Sequence, residues 1–411
     1  MKNFIFKFVT IVMNSVFLFY IASSLCYAST LNLSSVNTKE VNYKKYYGKK
    51  QSINIYNWGE FLSDGYGKTL AVNKEFEKLT GIKVNYSTFA SNEELYAKMR
   101  NKSVKYDVII PSDYMISRMI EEDLLMPLDF AKIANFKNID ENFKNLEYDT
   151  QGKYSVPYMW GMVGIIYNKK YIKKEVNSWA SLWDKDYSGK ILMFSNSRDS
   201  FGLALKKLNY SVNSKKKSEI LAASLQIAEQ KKLVQAYVMD EIFNKMENEE
   251  AIIAPYYSGD AITMMKENNN LEFVYPKEGT NKFVDAICIP KDSENAEVAY
   301  LYINFLLEPQ VALANVKHTG YSTPNKGAFK LLDDEIRNNK IAYPDDEILK
   351  KSESFLYLSP EINKCIDSEW VKIMSLNDDD NKWFIPALLL FCVAVSVFIN
   401  VYRAFKKRRK F

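Results

Sequence analysis

"INIYNWGEFLSDGYGKTLAVNKEFEKLTGIKVNYSTFASNEELYAKMRNKSVKYDVIIPSDY", residues 53–114, carries the reading of the fold. INIY at its start alternates apolar and polar residues, the period of a strand with one buried face. Val72, Phe76 and Leu79 then recur at helical spacing, and Gly81 stops that helix. IKVNY (82–86) is a second strand. Ser91 with Glu94 three residues later is a capping box that opens the helix NEELYAKMRN. YDVIIP (106–111) is short and nearly continuously apolar, as a strand buried on both faces is. Strand, helix, strand, helix, strand in that order implies a parallel sheet with right-handed crossovers. The alternation returns between about Ile165 and Asp285, where GIIYN, KILMF, EAIIAPY and LEFVYP are separated by helical stretches such as FGLALKKL and EILAASLQIAEQKK. No sequence repeat relates the two units. Two α/β units in 411 residues predict a bilobed molecule that closes on a ligand.

Both ends of the chain address a membrane. The first 28 residues hold Lys2 and Lys7, an apolar core and a small-residue site near Ala28, the pattern of a secretory signal. Cys26 raises lipidation as an alternative, against which Leu25 stands where a small residue is expected; retention as an anchor is a third. WFIPALLLFCVAVSVFINVY (383–402) is uncharged and long enough for a transmembrane helix, with Trp383 and Tyr402 at its borders. The tail RAFKKRRKF (403–411) follows it and marks the cytoplasmic side. Setting aside the eight cations of these two ends turns the formal +5 of the chain into −3 for residues 29–382. A mildly acidic extracytoplasmic body argues against nucleic acid as a partner and suits a cationic one. Residues 29–51 are polar and without period, and read as a flexible linker.

Catalytic equipment is scarce. His318, in the turn-like stretch KHTGYSTPN, is the chain's one histidine and reads as a surface or turn residue, which argues against Ser-His-Asp, Cys-His and multi-His metal chemistry. Cys288 in the run AICIP reads as a small buried hydrophobe, and its 77-residue separation from Cys365 matches no metal-ligand spacing. No Gly-rich phosphate loop stands in a strand–turn–helix context. Neither a cofactor nor a metal is expected, and the chain reads as a non-enzyme. A surface-anchored hydrolase using paired carboxylates is the rival from another class.

Open α/β sheets bind ligands beyond the carboxyl ends of their strands. Five stretches fall there: NWGE (57–60), PSDY (111–114), SNSRDS (195–200), YYSGD (256–260) and FVD (283–285). They bring together the rings of Trp58, Tyr114, Tyr256, Tyr257 and Phe283 with the acids Glu60, Asp199, Asp260 and Asp285. Asp113 reads as the N-cap of the following helix and is set apart. Ring faces attract ammonium groups and carboxylates hold them by charge-assisted hydrogen bonds, so the set suits an organic cation.

At these residues the chain resembles the spermidine/putrescine-binding proteins of polyamine ABC transporters. The likeness runs from about Ile53 to Met374 through YNW.E, TGIKV.YSTF.SNEELYAK, YDVI.PSDY, YSVPYMWG, SWASLWD..Y.GK, FVYPKEG, INFLL.P and GYSTPN. It implies an α/β, two-lobed periplasmic-binding-protein fold of the type II kind, here with a C-terminal transmembrane helix. It implies lobe 1 at 52–160, lobe 2 at 161–282, a return to lobe 1 at 283–328, and helices at 329–376 packing on lobe 2. Putrescine or spermidine would bind between the lobes and pass to ABC permease subunits driven by a cytoplasmic ATPase. A receptor for another small cationic solute on the same scaffold is the rival within the class. By position, the resemblance implies ligand contacts for Trp58, Glu60, Ser112, Tyr114, Asp199, Tyr257, Phe283, Asp285 and Tyr321. Asn196 stands where spermidine binders carry an acid, Phe283 where they carry tryptophan, and Asp260 where putrescine binders carry an acid. These departures put the pocket closer to the diamine type. Gly59 and Phe61 replace hydrogen-bonding residues of the family.

Overall fold

The computed structural model describes residues 30–66, 69–101 and 104–376; the expected signal segment 1–28, the apolar stretch 383–402 and the tail 403–411 lie outside them. The first strand, β1 (Ser52–Trp58), leads through α1 (Val72–Thr80) to β2 (Lys83–Phe89). Val72, Phe76 and Leu79 are buried on one face of α1, as their spacing predicts. Gly81 then takes the left-handed conformation (φ +73°) and donates its N–H to Glu77 O, which closes the helix where a side chain would be strained. α2 (Asn92–Asn101) is opened by Ser91, whose hydroxyl accepts from Glu94 N at 3.1 Å, while the Glu94 carboxylate accepts from Ala90 N at 3.0 Å. β3 (Val108–Ile109) and α3 (Asp113–Glu121) complete the unit. β1 pairs in parallel with both β2 and β3, so each helix crosses over the sheet as the alternation predicts.

The long strand β4 (Ser155–Asn168) joins two sheets. Residues 155–162 pair antiparallel with β9 (Asn281–Cys288), and residues 163–168 pair with β7 (Ile253–Tyr257) and β8 (Leu271–Val274). The crossing lies between Met162 and Val163. Every residue of β4 except Tyr167 is buried, because the strand has packed layers on both faces along its whole length. β5 (Ile191–Phe194), α4 (Ser197–Lys207), α5 (Lys217–Lys231), β6 (Val234–Val238), α6 (Glu241–Glu247) and, after β7, α7 (Ser258–Glu267) build the second half, with β5 parallel to β6 and β7. α8 (Ala296–Leu306) and α9 (Pro309–Thr319) follow β9 on the first half. The resulting strand order is β2-β1-β3-β9-β4-β7-β5-β6.

Four expectations are corrected. The sheet of the first half is mixed rather than parallel, because β9 re-enters from the second half and lies antiparallel on β3. The stretch 29–51 is not a free linker where it is described: Leu31, Val36, Val41 and Tyr43 are buried in the core with Phe305 and Val311. Each such side chain contributes roughly 1.5–3 kcal/mol, which offsets the ordering of a polar segment. Tyr43 also donates to Glu308 Oε1 at 2.6 Å, beneath that segment. Residues 329–376 do not pack on the second half alone. After the short helices α10 (Lys326–Leu331), α11 (Asp334–Arg337) and α12 (Asp346–Lys351), strand β10 (Glu353–Ser354) pairs with β9 of the first sheet, and only α13 (Pro360–Ser375) lies on α4 and α5. His318 sits in the last turn of α9, beside the basic Lys317, rather than in a turn. Cys288 is fully buried on β9, and both described cysteines are free thiols.

Among the described residues no helix is long and apolar enough to cross a membrane. The stretch expected to do so, 383–402, is outside them.

Candidate ligand-binding cleft

Strand ends from both halves converge on one cleft. The first half contributes the end of β1 with Trp58 and Glu60, the start of α2, and the β3–α3 junction with Ser112 and Tyr114. The second half contributes Asn196 and Asp199 at the start of α4, and Tyr257 and Asp260 at the β7–α7 junction. Phe283 and Asp285 reach in from β9, and Tyr321 follows α9. All eleven residues singled out in the sequence therefore line the same cleft.

At one end, Asp285 is buried with 3% of its surface exposed. Ser112 donates its hydroxyl to Asp285 Oδ1 at 2.6 Å, and Asn92 Nδ2 donates to that hydroxyl at 3.1 Å. Burial pushes the Asp285 pKa up to about 7, against the hydroxyl of Ser112 and the nearby indole of Trp58, which favour its charged form. The Trp58 Nε1–H itself is buried and makes no full hydrogen bond. Asp260 is pushed up to about 8, chiefly by burial, and further by the charges of Asp240, Glu60 and Asp285; the Tyr321 hydroxyl, donating at 2.8 Å, opposes the shift. Carboxyls crowded in this way lack a counter-ion.

The other end is built around Asp199. Tyr257 donates its hydroxyl to Asp199 Oδ2 at 2.7 Å, and Asn196 Nδ2 donates to the same oxygen at 2.8 Å. Asn196 Oδ1 in turn accepts from Asp199 N, so this residue is the N-cap of α4 and a holder of Asp199. Burial raises the Asp199 pKa, while these two donors and the neighbouring Arg198 hold it down. Arg198 does not neutralise the cleft: its guanidinium donates to Val212 O at 2.8 Å and Asn213 Oδ1 at 2.9 Å and lies over the Phe355 ring. Glu93, raised by burial, accepts from the Tyr114 hydroxyl at 2.9 Å.

Between the ends the rings form one connected lining. Tyr257 meets Phe283 edge-on at 5.4 Å, Phe283 meets Tyr321 at 6.0 Å, and Phe61 meets Tyr321 at 5.0 Å. Phe61 thus gives up a polar contact and packs instead against the aromatic wall. Gly259 is required here, since a β-carbon would fall 2.4 Å from the Tyr321 ring. Gly59 faces Asp240 across the cleft, where a β-carbon would lie 3.2 Å from Asp240 Oδ2.

Sequence reasoning missed Glu93, Asp240, Phe243, Asn281 and Phe355, all of which line the cleft. Glu93 and Asp240 follow the carboxyl ends of β2 and β6; the strand-end rule is a signal for Glu93, whereas β6 has no clear strand period to announce Asp240. Asp113, set apart as a helix cap, is instead the first residue of α3; its carboxylate accepts from Tyr114 N at 2.7 Å and it is fully buried beneath the site. The cleft therefore presents seven carboxyl groups, and no lysine, arginine or histidine lines it among the described residues. None of the seven takes part in an ion pair among those residues. No cluster of metal-ligating side chains occurs among them either.

A family model for bacterial extracellular solute-binding proteins matches residues 103–352. The spermidine/putrescine-binding periplasmic protein of Escherichia coli is 37% identical over 304 residues, covering 74% of this chain and 86% of its own. The chain belongs to the bacterial extracellular solute-binding proteins. Within this family it is also similar to the putrescine-binding periplasmic protein PotF of E. coli, at 28% identity over 80% of this chain and 92% of that protein. The spermidine/putrescine ABC transporter substrate-binding protein PotD of Streptococcus pneumoniae has a solved structure that superposes with a TM-score of 0.68 at 36% identity, covering 79% of this chain and 99% of that one. The acids and rings described above line the cleft between the two halves of this chain.

Proposed function

We propose that this chain is the extracytoplasmic substrate-binding component of a polyamine ABC importer, taking putrescine or spermidine into the cleft. The single observation that carries the reading is the excess of seven carboxyls over no lining base, threaded with aromatic rings. An alkylammonium end would sit between Asp285 and Asp260, and the other between Asp199 and Glu93, with methylenes against Phe283, Tyr257 and Trp58. Charge-assisted hydrogen bonds at the ends give orientation, and the rings add roughly 0.5–2 kcal/mol per cation–π contact. The names of the similar proteins support the same ligand class. Residues 383–402 tether the body to the membrane with the tail 403–411 cytoplasmic, keeping the receptor beside permease subunits and their ATPase. Calorimetric titration with putrescine, spermidine and cadaverine tests the ligand; absence of binding to all three at millimolar concentration would refute it. Alkaline extraction of membranes tests the tether, which predicts that deletion of 383–411 releases the protein.

A further inference from the structure

β9 presents one more polar group to the cleft than the proposed ligand contacts use. Strand side chains alternate, so Asn281, Phe283 and Asp285 share one face, and these three, unlike Lys282 and Val284, line the cleft. Asn281 is 95% buried at the point where β10 joins β9, beside the cleft-lining Phe355. Its Oδ1 is fully buried, and no donor from the described residues reaches it. Leaving a buried carbonyl unpaired costs stability, so the position calls for a donor from elsewhere. A cationic ligand in a carboxylate-rich cleft is a source of N–H donors: a primary ammonium carries three, as a lysine head does.

The spacing states which ligand can supply it. Asn281 and Asp285 are four residues apart on extended backbone, roughly 13 Å. At about 1.2 Å per bond of extended chain, a four-carbon diamine with five bonds between its nitrogens spans about 6 Å, and a triamine with nine spans about 11 Å. Taken between Cα atoms, that spacing exceeds the reach of a diamine held at Asp285 by hydrogen bonds of roughly 2.9 Å and lies within the reach of a triamine. We propose that Asn281 is a ligand contact whose carbonyl accepts from the distal amine of a linear triamine, making it a determinant of triamine over diamine binding. The inference rests on the polyamine reading and goes against the diamine preference that Asn196, Phe283 and Asp260 suggested. Asn196 carries little weight in that preference, because both ends of its amide are committed to Asp199.

The test titrates the purified full-length protein with spermidine and putrescine, alongside Asn281→Leu and Asn281→Asp. Leucine is close in volume and removes the orphaned carbonyl, so it should raise the melting temperature of the free protein while weakening spermidine about tenfold. Putrescine should stay within about twofold. Aspartate keeps an acceptor and should hold spermidine at or above the wild-type affinity. Spermidine unchanged in Asn281→Leu, or both amines weakened alike, overturns the proposal. So does an Asn281→Asp variant that loses spermidine as Asn281→Leu does. Wild-type protein that binds neither amine would instead remove the polyamine reading itself, a result visible before any variant is made.

Discussion

The two ends of the cleft use the same side-chain types and differ in how their charge is held. Asp199 is fixed by Tyr257 and Asn196 with Arg198 close by. Asp285 and Asp260 have one hydroxyl donor each and share their surroundings with Glu60 and Asp240. The first end is a carboxyl held in place by two side-chain donors. The second is a group of acids whose mutual repulsion is relieved by a proton or by a cation. A polyamine bound at the second end would exchange protons for an ammonium group, and its affinity should then depend on pH.

Removing charge breaks the comparison most sharply. Asp285→Asn should weaken polyamine binding by roughly 2–5 kcal/mol, since it strips a desolvated partner from the ligand charge. Calorimetry gives the value directly, and unchanged affinity would take Asp285 out of the site. Asp199→Asn should cost less, about 1–3 kcal/mol, because Tyr257 and Asn196 persist around the neutral amide. A larger loss at 199 than at 285 would invert the ranking of the ends.

The pH response separates the ends without mutation. The Asp285 and Asp260 carboxyls titrate near 7 and 8 in the folded protein, against about 3.9 for an unperturbed aspartate. Their contribution to the stability of the free protein is full below about pH 4 and is lost as the pH rises through those values. This part of the stability profile should flatten in Asp260→Asn, a difference visible in melting curves between pH 5 and 9. The ligand favours the ionised carboxyls, so affinity should rise from about pH 6 to about pH 8.5. Below pH 7, binding heats in two buffers of different ionisation enthalpy should show proton release. Equal heats would mean that both carboxyls are already ionised in the free cleft.

The smallest effect is expected at the mouth. Gly59→Ala places a methyl 3.2 Å from Asp240 Oδ2, a contact that a small movement relieves. Affinity should fall less than about fivefold, read by the same titration. A complete loss would show that closure at Gly59 is rate- or affinity-determining.

The legibility of the site followed the visibility of its strands. Where a strand is buried and regular, as with INIY, DVII and KILMF, the residue after its end could be placed in the cleft from sequence. β6 is half exposed, carries Gln235 mid-strand and gave no strand period, so Asp240 and Phe243 beyond it were invisible. β2 is legible as a strand, but the capping-box signal of FASNE after it masks Glu93. Asn281 was missed because the stretch FVD was cut two residues short of the alternation that continues through it. The buried lead-in escaped because Leu31, Val36, Val41 and Tyr43 are spread through polar sequence at no fixed period. Their partners on α8 and α9 lie more than 250 residues away, a tertiary fact that local patterning does not contain.

The central claim is that charge, rather than shape alone, selects the ligand. It is tested most directly by titrating the purified protein at pH 8 with putrescine and spermidine against uncharged 1,4-butanediol and the dicarboxylate succinate. The account predicts saturable binding of the amines and none of the diol or the dicarboxylate. Binding of succinate, or of the diol as tightly as putrescine, would contradict it.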